Sequence, residues 1–138
     1  MKTEDFESVF RTNVFGAFYM AREVARHLVE QGSGAIVNVA STAATKGFQG
    51  GTAYGASKFA LRGMSETWRE ELRRHDVKVI LINPSEVITE FSRRAGYEQK
   101  VTDKKLRPED IAQAIVAALS LSPRALIPEF AVFANNPF

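Results

Sequence analysis

Gly51-Thr52-Ala53-Tyr54-Gly55-Ala56-Ser57-Lys58-Phe59-Ala60 is the stretch from which the rest of the chain can be read. Tyr54 and Lys58 are four residues apart, a spacing that on a helix puts both side chains on one face, one turn apart. A free tyrosine is a poor acid or base near neutrality, because its ordinary pKa is about 10. A neighbouring ammonium favours the phenolate, so the spacing predicts a Tyr54 pKa pulled down toward the working range by Lys58. Such a pair can give and take the proton of a carbonyl/alcohol interconversion. Tyr-x-x-x-Lys is also ordinary amphipathic helix surface, so the surroundings have to decide.

Outward from this stretch, the apolar run Gly34-Ala35-Ile36-Val37-Asn38-Val39-Ala40 reads as a buried strand, and it ends at Ser41, thirteen residues before Tyr54. Further upstream lies Asn13, in Thr12-Asn13-Val14-Phe15-Gly16. Downstream, Ile80-Leu81-Ile82-Asn83-Pro84-Ser85-Glu86-Val87-Ile88-Thr89 reads as a strand followed by a turn. Residue by residue these have plain alternatives: Ser41 as a turn residue, Asn13 as a hydrogen-bonded polar group in a helix, Pro84 as an ordinary turn proline.

Together they resemble the short-chain dehydrogenase/reductase family over nearly the whole chain. Ser41, Tyr54 and Lys58 stand where that family has its Ser and Tyr-x-x-x-Lys, and Asn13 matches its helix asparagine. The resemblance implies a catalytic set in which Tyr54 donates the proton. Lys58 holds the cofactor ribose and lowers the tyrosine pKa, Ser41 orients the carbonyl, and Asn13 helps hold a water in a relay to Lys58. It implies NADP or NAD as cofactor, with Pro84, Ser85, Val87 and Thr89 beside Tyr54 and Lys58 at its nicotinamide end. The family has glycine after the proline; Ser85 stands there instead, and serine disfavours positive φ, so the local turn is expected to differ. Asn83-Pro84-Ser85-Glu86-Val87 and a short following segment most resemble the 3-oxoacyl-acyl-carrier-protein reductase-like members.

The chain of 138 residues fits one domain, with 45% hydrophobic and 25% charged residues, as in ordinary globular proteins. A formal charge of +2, with arginines spread over helix surfaces, gives no nucleic-acid signature. With no cysteine there is no disulfide, thiolate zinc site or cysteine nucleophile, and neither His27 nor His75 has a ligand-spaced partner for a metal. No apolar signal region and no run of eighteen apolar residues occurs, so a cytoplasmic protein without membrane attachment is the default expectation.

In chain order, residues 4–30 read as one long helix capped by Thr3, with Glu4 and Asp5 at its positive end. Phe10, Val14, Ala17, Ala21, Val24 and Leu28 form one stripe, while Phe15, Phe18, Tyr19 and Met20 lie off it. A helix apolar on two sides fits either a single core or a second face against a partner subunit. Gly32 is placed for a left-handed cap. The glycines at 47, 50, 51 and 55 match neither the dinucleotide fingerprint nor the P-loop spacing. Residues 52–74 read as the second helix and 77–82 as the second strand. Residues 90–106, with five basic residues, read as a short lid, either solvated or facing an acidic carrier. Pro108-Glu109-Asp110 opens a third helix, and 125–133, interrupted by Pro128, reads as a last strand at an edge or bulge.

The order helix, strand, helix, strand, lid, helix, strand suits an α/β fold: the C-terminal half of a Rossmann-type, doubly wound parallel sheet with three strands and about three helices. Residues 1–138 are then a single partial domain whose dinucleotide-binding first half is missing. No glycine-rich turn after a first strand is present to take a pyrophosphate. In the family's strand order the strand at 35–40 would be interior, so its edge is expected to be open and apolar, which invites pairing. A homo-oligomer through helices 4–30 and 52–74, poor solubility, or dependence on a partner segment is expected. Two functions are compatible with this: an NAD(P)-dependent oxidoreductase acting on a small carbonyl or alcohol, or a catalytically idle fragment that serves only for oligomerisation.

Overall fold

The computed structural model describes residues 1–137. It opens with a helical rod in three parts: α1 (Thr3–Phe10), a π-helical turn (Arg11–Gly16) and α2 (Ala17–Gln31). The sequence predicts one regular helix here, and the π turn is the departure. Its hydrogen bonds reach one residue further than in an α-helix, which widens the turn and rotates α2 relative to α1. The regular stripe is broken accordingly, and Ala21 is the only fully buried residue of the rod. Thr3 does not cap: the rod begins at Thr3 itself, behind Lys2, without a side-chain cap. Gly32, at φ 68°, closes the rod, its N–H reaching the carbonyls of Leu28 and Val29.

Strand β1 (Gly34–Val39) runs parallel to β2 (Val77–Pro84), from Gly34 opposite Val77 to Val39 opposite Ile82. Strand β3 (Glu129–Val132) joins the other side of β2, also parallel, from Leu81 opposite Glu129 to Pro84 opposite Val132. The sheet order is β1-β2-β3. Helix α3 (Thr52–Leu72) crosses from β1 to β2, and the short α4 (Phe91–Arg94) and α5 (Pro108–Leu119) cross from β2 to β3. This is the three-stranded parallel half-sheet expected from the element order. The last strand is shorter than 125–133 because Pro128 cannot donate to a ladder. It stands just ahead of β3, and its carbonyl accepts from Leu81 N at 3.0 Å and from Arg69 at 2.7 Å.

The central strand carries the core. Val79, Ile80, Leu81 and Ile82 are fully buried, and each such side chain contributes about 1.5–3 kcal/mol. Alternation splits them between two layers. Leu81 packs with Ala40, Ala44 and Leu61, against Ala17, Met64 and Trp68 of the rod and α3. Ile82 packs with Leu106 and Ile111, against Val37, Ala114 and Ile115. β1 pairs on one side only; among the described residues no strand covers its outer edge. None of the helices is long and apolar enough to cross a membrane, among the described residues.

One backbone position at the start of β1 admits only glycine. Gly34 has φ 142°, and a methyl group there would lie 2.5 Å from Leu28 Cδ2. Gly34→Ala is expected to lower stability by about 2 kcal/mol or more, read as a lower urea midpoint. An unchanged midpoint would mean that the rod and β1 are not joined this closely.

Candidate active site

The site lies at the carboxyl ends of β1 and β2, where open parallel sheets bind ligands. Beyond β1, Ala40 still bonds to Ile82 (N to O, 2.8 Å), and Ser41 then leaves the sheet in extended conformation, φ −177°. Its Oγ accepts from Ala43 N at 3.1 Å and so caps a one-turn 3₁₀ helix, Thr42–Ala44. That fixes the hydroxyl close enough to the Tyr54 phenol to pull its pKa down.

Tyr54 sits in the first turn of α3, its ring bracketed by Phe48 at 6.4 Å and Phe91 at 5.4 Å between centroids. Phe48 comes from the loop after Ser41, and Phe91 from α4 of the lid. The Phe48 ring can lie across the helix start only because residue 51 is glycine: a methyl group on Gly51 would fall 2.4 Å from Phe48 Cζ.

Electrostatics at Tyr54 overturn one expectation. Its pKa is raised above the usual 10.0, not lowered. Burial is the main cause; the Ser41 hydroxyl opposes it, and Tyr97 adds to it. Lys58 contributes little because its ammonium points elsewhere. Nζ donates to the carbonyl of Val39 at 3.1 Å and stands 5.6 Å from the centre of the Tyr54 ring. Burial in turn lowers the pKa of Lys58. One face and one turn are right for the pair; the direct charge coupling is not found.

Asn13 is positioned by the π turn. Its Nδ2 donates to Ser57 Oγ at 3.0 Å, and Ser57 Oγ donates to the Tyr54 carbonyl at 2.7 Å. Ser57 is fully buried and directly precedes Lys58, so the rod is pinned to α3 between the two chemical residues. The pattern recurs two turns on: Asn38 Nδ2 donates to buried Ser65 Oγ at 2.8 Å, and Ser65 donates to the Leu61 carbonyl at 2.7 Å. Ser57 and Ser65 carry no sequence signal of their own; a small polar residue on a packed helix face marks them only once its neighbours are known.

The turn after β2 completes the site. Ser85 does not adopt positive φ, so serine is accommodated without strain, and its N–H reaches Val132 O at 2.9 Å. Thr89 Oγ1 accepts from Phe91 N at 3.2 Å, which leaves its hydroxyl hydrogen free to donate. The lid is held at its base rather than loose. Val87 bridges to Leu106, Ile88 N reaches Leu106 O at 2.9 Å, and Gln99 Nε2 donates to Val87 O at 3.1 Å.

Asn13, Ser41, Tyr54, Pro84, Ser85, Val87 and Thr89 all line one cleft of about 1490 Å³. Lys58 stands just behind it, joined to Val39, which does line it. A nicotinamide nucleotide fits part of this cleft: aliphatic Val87, the hydroxyls of Thr89 and Ser85 and a nearby ammonium suit an aromatic amide and a ribose. For the pyrophosphate and adenosine the 138 residues supply no glycine-rich turn.

Fold and site together define a class, a parallel α/β half-sheet with serine, tyrosine and lysine gathered at its carboxyl edge. The chain belongs to the short chain dehydrogenase family, which it matches over residues 1–100. It is 32% identical over 123 residues to the 3-oxoacyl-[acyl-carrier-protein] reductase FabG of Thermotoga maritima, spanning 84% of this chain and 50% of that protein. It is 32% identical over 126 residues to the sepiapterin reductase of Chlorobaculum tepidum, spanning 91% of this chain and 51% of the other. The closed form of a serine dehydrogenase complexed with NADP⁺ superposes with a TM-score of 0.86 at 32% identity, over 96% of this chain and 56% of that one. The chain thus spans about half the length of these relatives.

Proposed function

We propose that this chain forms the reaction half of an NAD(P)-dependent oxidoreductase that interconverts a carbonyl and an alcohol. The observation that carries the reading is that Ser41 and Tyr54 line one cleft with Val87 and Thr89, the Ser41 hydroxyl near enough to the phenol to affect its pKa. A bound nicotinamide supplies the hydride in reduction and takes it in oxidation. In reduction, Tyr54 gives its proton to the carbonyl oxygen as the alcohol forms. It is protonated at neutral pH, as a donor must be, and its raised pKa makes it a weaker acid than free tyrosine, so the push for transfer comes from the charge that builds on the carbonyl oxygen as the hydride arrives. Ser41 donates to the same oxygen and holds it against the phenol. Lys58 holds the nucleotide ribose, and Asn13 holds α3 in place through Ser57.

The proposal takes NADP and NAD together, because none of the cleft residues named above is one that reads the adenosine ribose. The turn sequence 83–87 and the short lid support a 3-oxoacyl substrate; relatives of equal identity carry the names of other substrates, so the proposal stops at the carbonyl/alcohol pair. Self-association through the rod and α3 is part of the proposal, supported by the exposed Phe15, Tyr19 (53%) and Met20 (68%). The test is reduction of a panel of ketones and 3-oxo esters with NADPH and with NADH. Turnover that depends on Tyr54 supports the reading; no turnover by the folded chain with either nucleotide counts against it.

A further inference from the structure

The charge lining the cleft is unbalanced in one direction. Three charged residues line it: Lys46, Glu86 and Arg94. Glu86 is already neutralised. Its Oε2 lies 2.7 Å from Lys105 Nζ, on a lysine side chain only 11% exposed. Arg93, next to Arg94, is paired with Glu90. Lys46 and Arg94 have no ion pair or side-chain hydrogen bond among the described residues, and both face the cleft.

Their placement says which part of a ligand they would meet. Lys46 stands two residues before Phe48, and Arg94 one helical turn after Phe91. Both rings pack against Tyr54. The free cations therefore belong to the two walls around the proton donor, the loop after Ser41 and the lid. The nicotinamide-side residues Pro84, Ser85, Val87 and Thr89 lie on the third wall, the turn after β2. Between the cations the walls are aromatic, which suits a short carbon skeleton and excludes further charge.

Resting on the oxidoreductase reading above, we infer that the substrate carries a carboxylate within a few bonds of the reacting carbon, held by Arg94 and Lys46. Arginine takes a carboxylate in two parallel hydrogen bonds, and lysine adds a point charge from the loop after Ser41. Phe48 (55% exposed) and Phe91 (49% exposed) offer apolar surface between the two cations, which themselves remain open to solvent. Phe48 and Phe91 would then press the reacting carbon toward the phenol. A 3-hydroxy acid and its 3-oxo partner have this form: an anion at one end, the reacting oxygen two carbons away.

The test is a binding titration of the folded chain that needs no turnover, so failure of the chemistry and failure of this inference are separable. The probes are 3-hydroxybutyrate, its methyl ester and inorganic phosphate, followed by NMR shifts of backbone amides near residues 46, 54 and 94. The acid is expected to bind at least about tenfold more tightly than the ester. Lys46→Gln combined with Arg94→Gln is expected to remove that preference, and Arg94→Lys to restore part of it. Equal binding of acid and ester overturns the inference, as does undiminished acid binding by the double variant or no binding of the acid at all. Phosphate bound at these residues in preference to the acid would assign the cations to a nucleotide phosphate and also overturn it.

Discussion

Tyr54→Phe is expected to lower nicotinamide-dependent turnover by roughly 10²–10⁴-fold, the usual contribution of a positioned proton donor. The substitution removes one oxygen. The ring stays packed between Phe48 and Phe91, so the fold should be unchanged. The variant should also behave differently in alkali. The Tyr54 pKa is raised in the folded chain, chiefly by burial. A raised folded pKa contributes stability that is complete below the unfolded value of 10.0 and is lost as pH rises through the folded value. The parent should therefore lose stability above about pH 10, and Tyr54→Phe should lack that component. A variant that keeps its turnover, with parental folding, would remove Tyr54 from the chemistry.

Lys58→Met is expected to separate activity from stability. Lys58 is a partly buried cation whose pKa burial lowers. A lowered folded pKa contributes stability present above the unfolded value and lost as pH falls through the folded value, so at neutral pH the ammonium costs stability. Methionine fills similar space without charge. The lost hydrogen bond to the Val39 carbonyl is worth about 1 kcal/mol, and the relieved desolvation offsets it. The variant should melt no lower than the parent near pH 7, while kcat/KM falls about a hundredfold or more. If the loss appears in KM more than in kcat, Lys58 acts as a nucleotide anchor; equal losses in kcat would point to the relay. A variant that unfolds would show that the Val39 contact is structural first.

Much of the fold is legible in the sequence because each strong signal has a local physical cause. The apolar runs at 35–40 and 77–82 read as parallel strands from their continuous apolar character, although only β2 is buried on both faces; β1 leaves Ala35 and Val39 exposed. Pro108 and the acids after it mark the start of α5, where Asp110 accepts from Arg107 N at 2.8 Å. Gly32 ends the rod as its position implies. The features that escape the sequence depend on partners distant in the chain. The π turn at Arg11–Gly16 has no compositional mark; it appears where Asn13 reaches Ser57, forty-four residues away. The direction of the Tyr54 pKa shift escapes for the same reason. Helical spacing fixes where Lys58 starts, but the Val39 carbonyl, nineteen residues away, decides where its ammonium points. Phe48 and Phe91, the two walls around the tyrosine, lie in loops whose approach no periodicity encodes.

On the proposed function, this half-sheet holds the nicotinamide end of a nucleotide against Tyr54. Reduced nicotinamide mononucleotide tests it most directly, because it carries that end and needs no adenosine site. In an NMR titration of the folded chain, saturable shifts are expected at Tyr54, Lys58 and residues 84–89, weakened by Lys58→Met. A folded chain that shows no saturable shift, or shifts confined to the outer face of the rod, does not hold a nicotinamide at Tyr54.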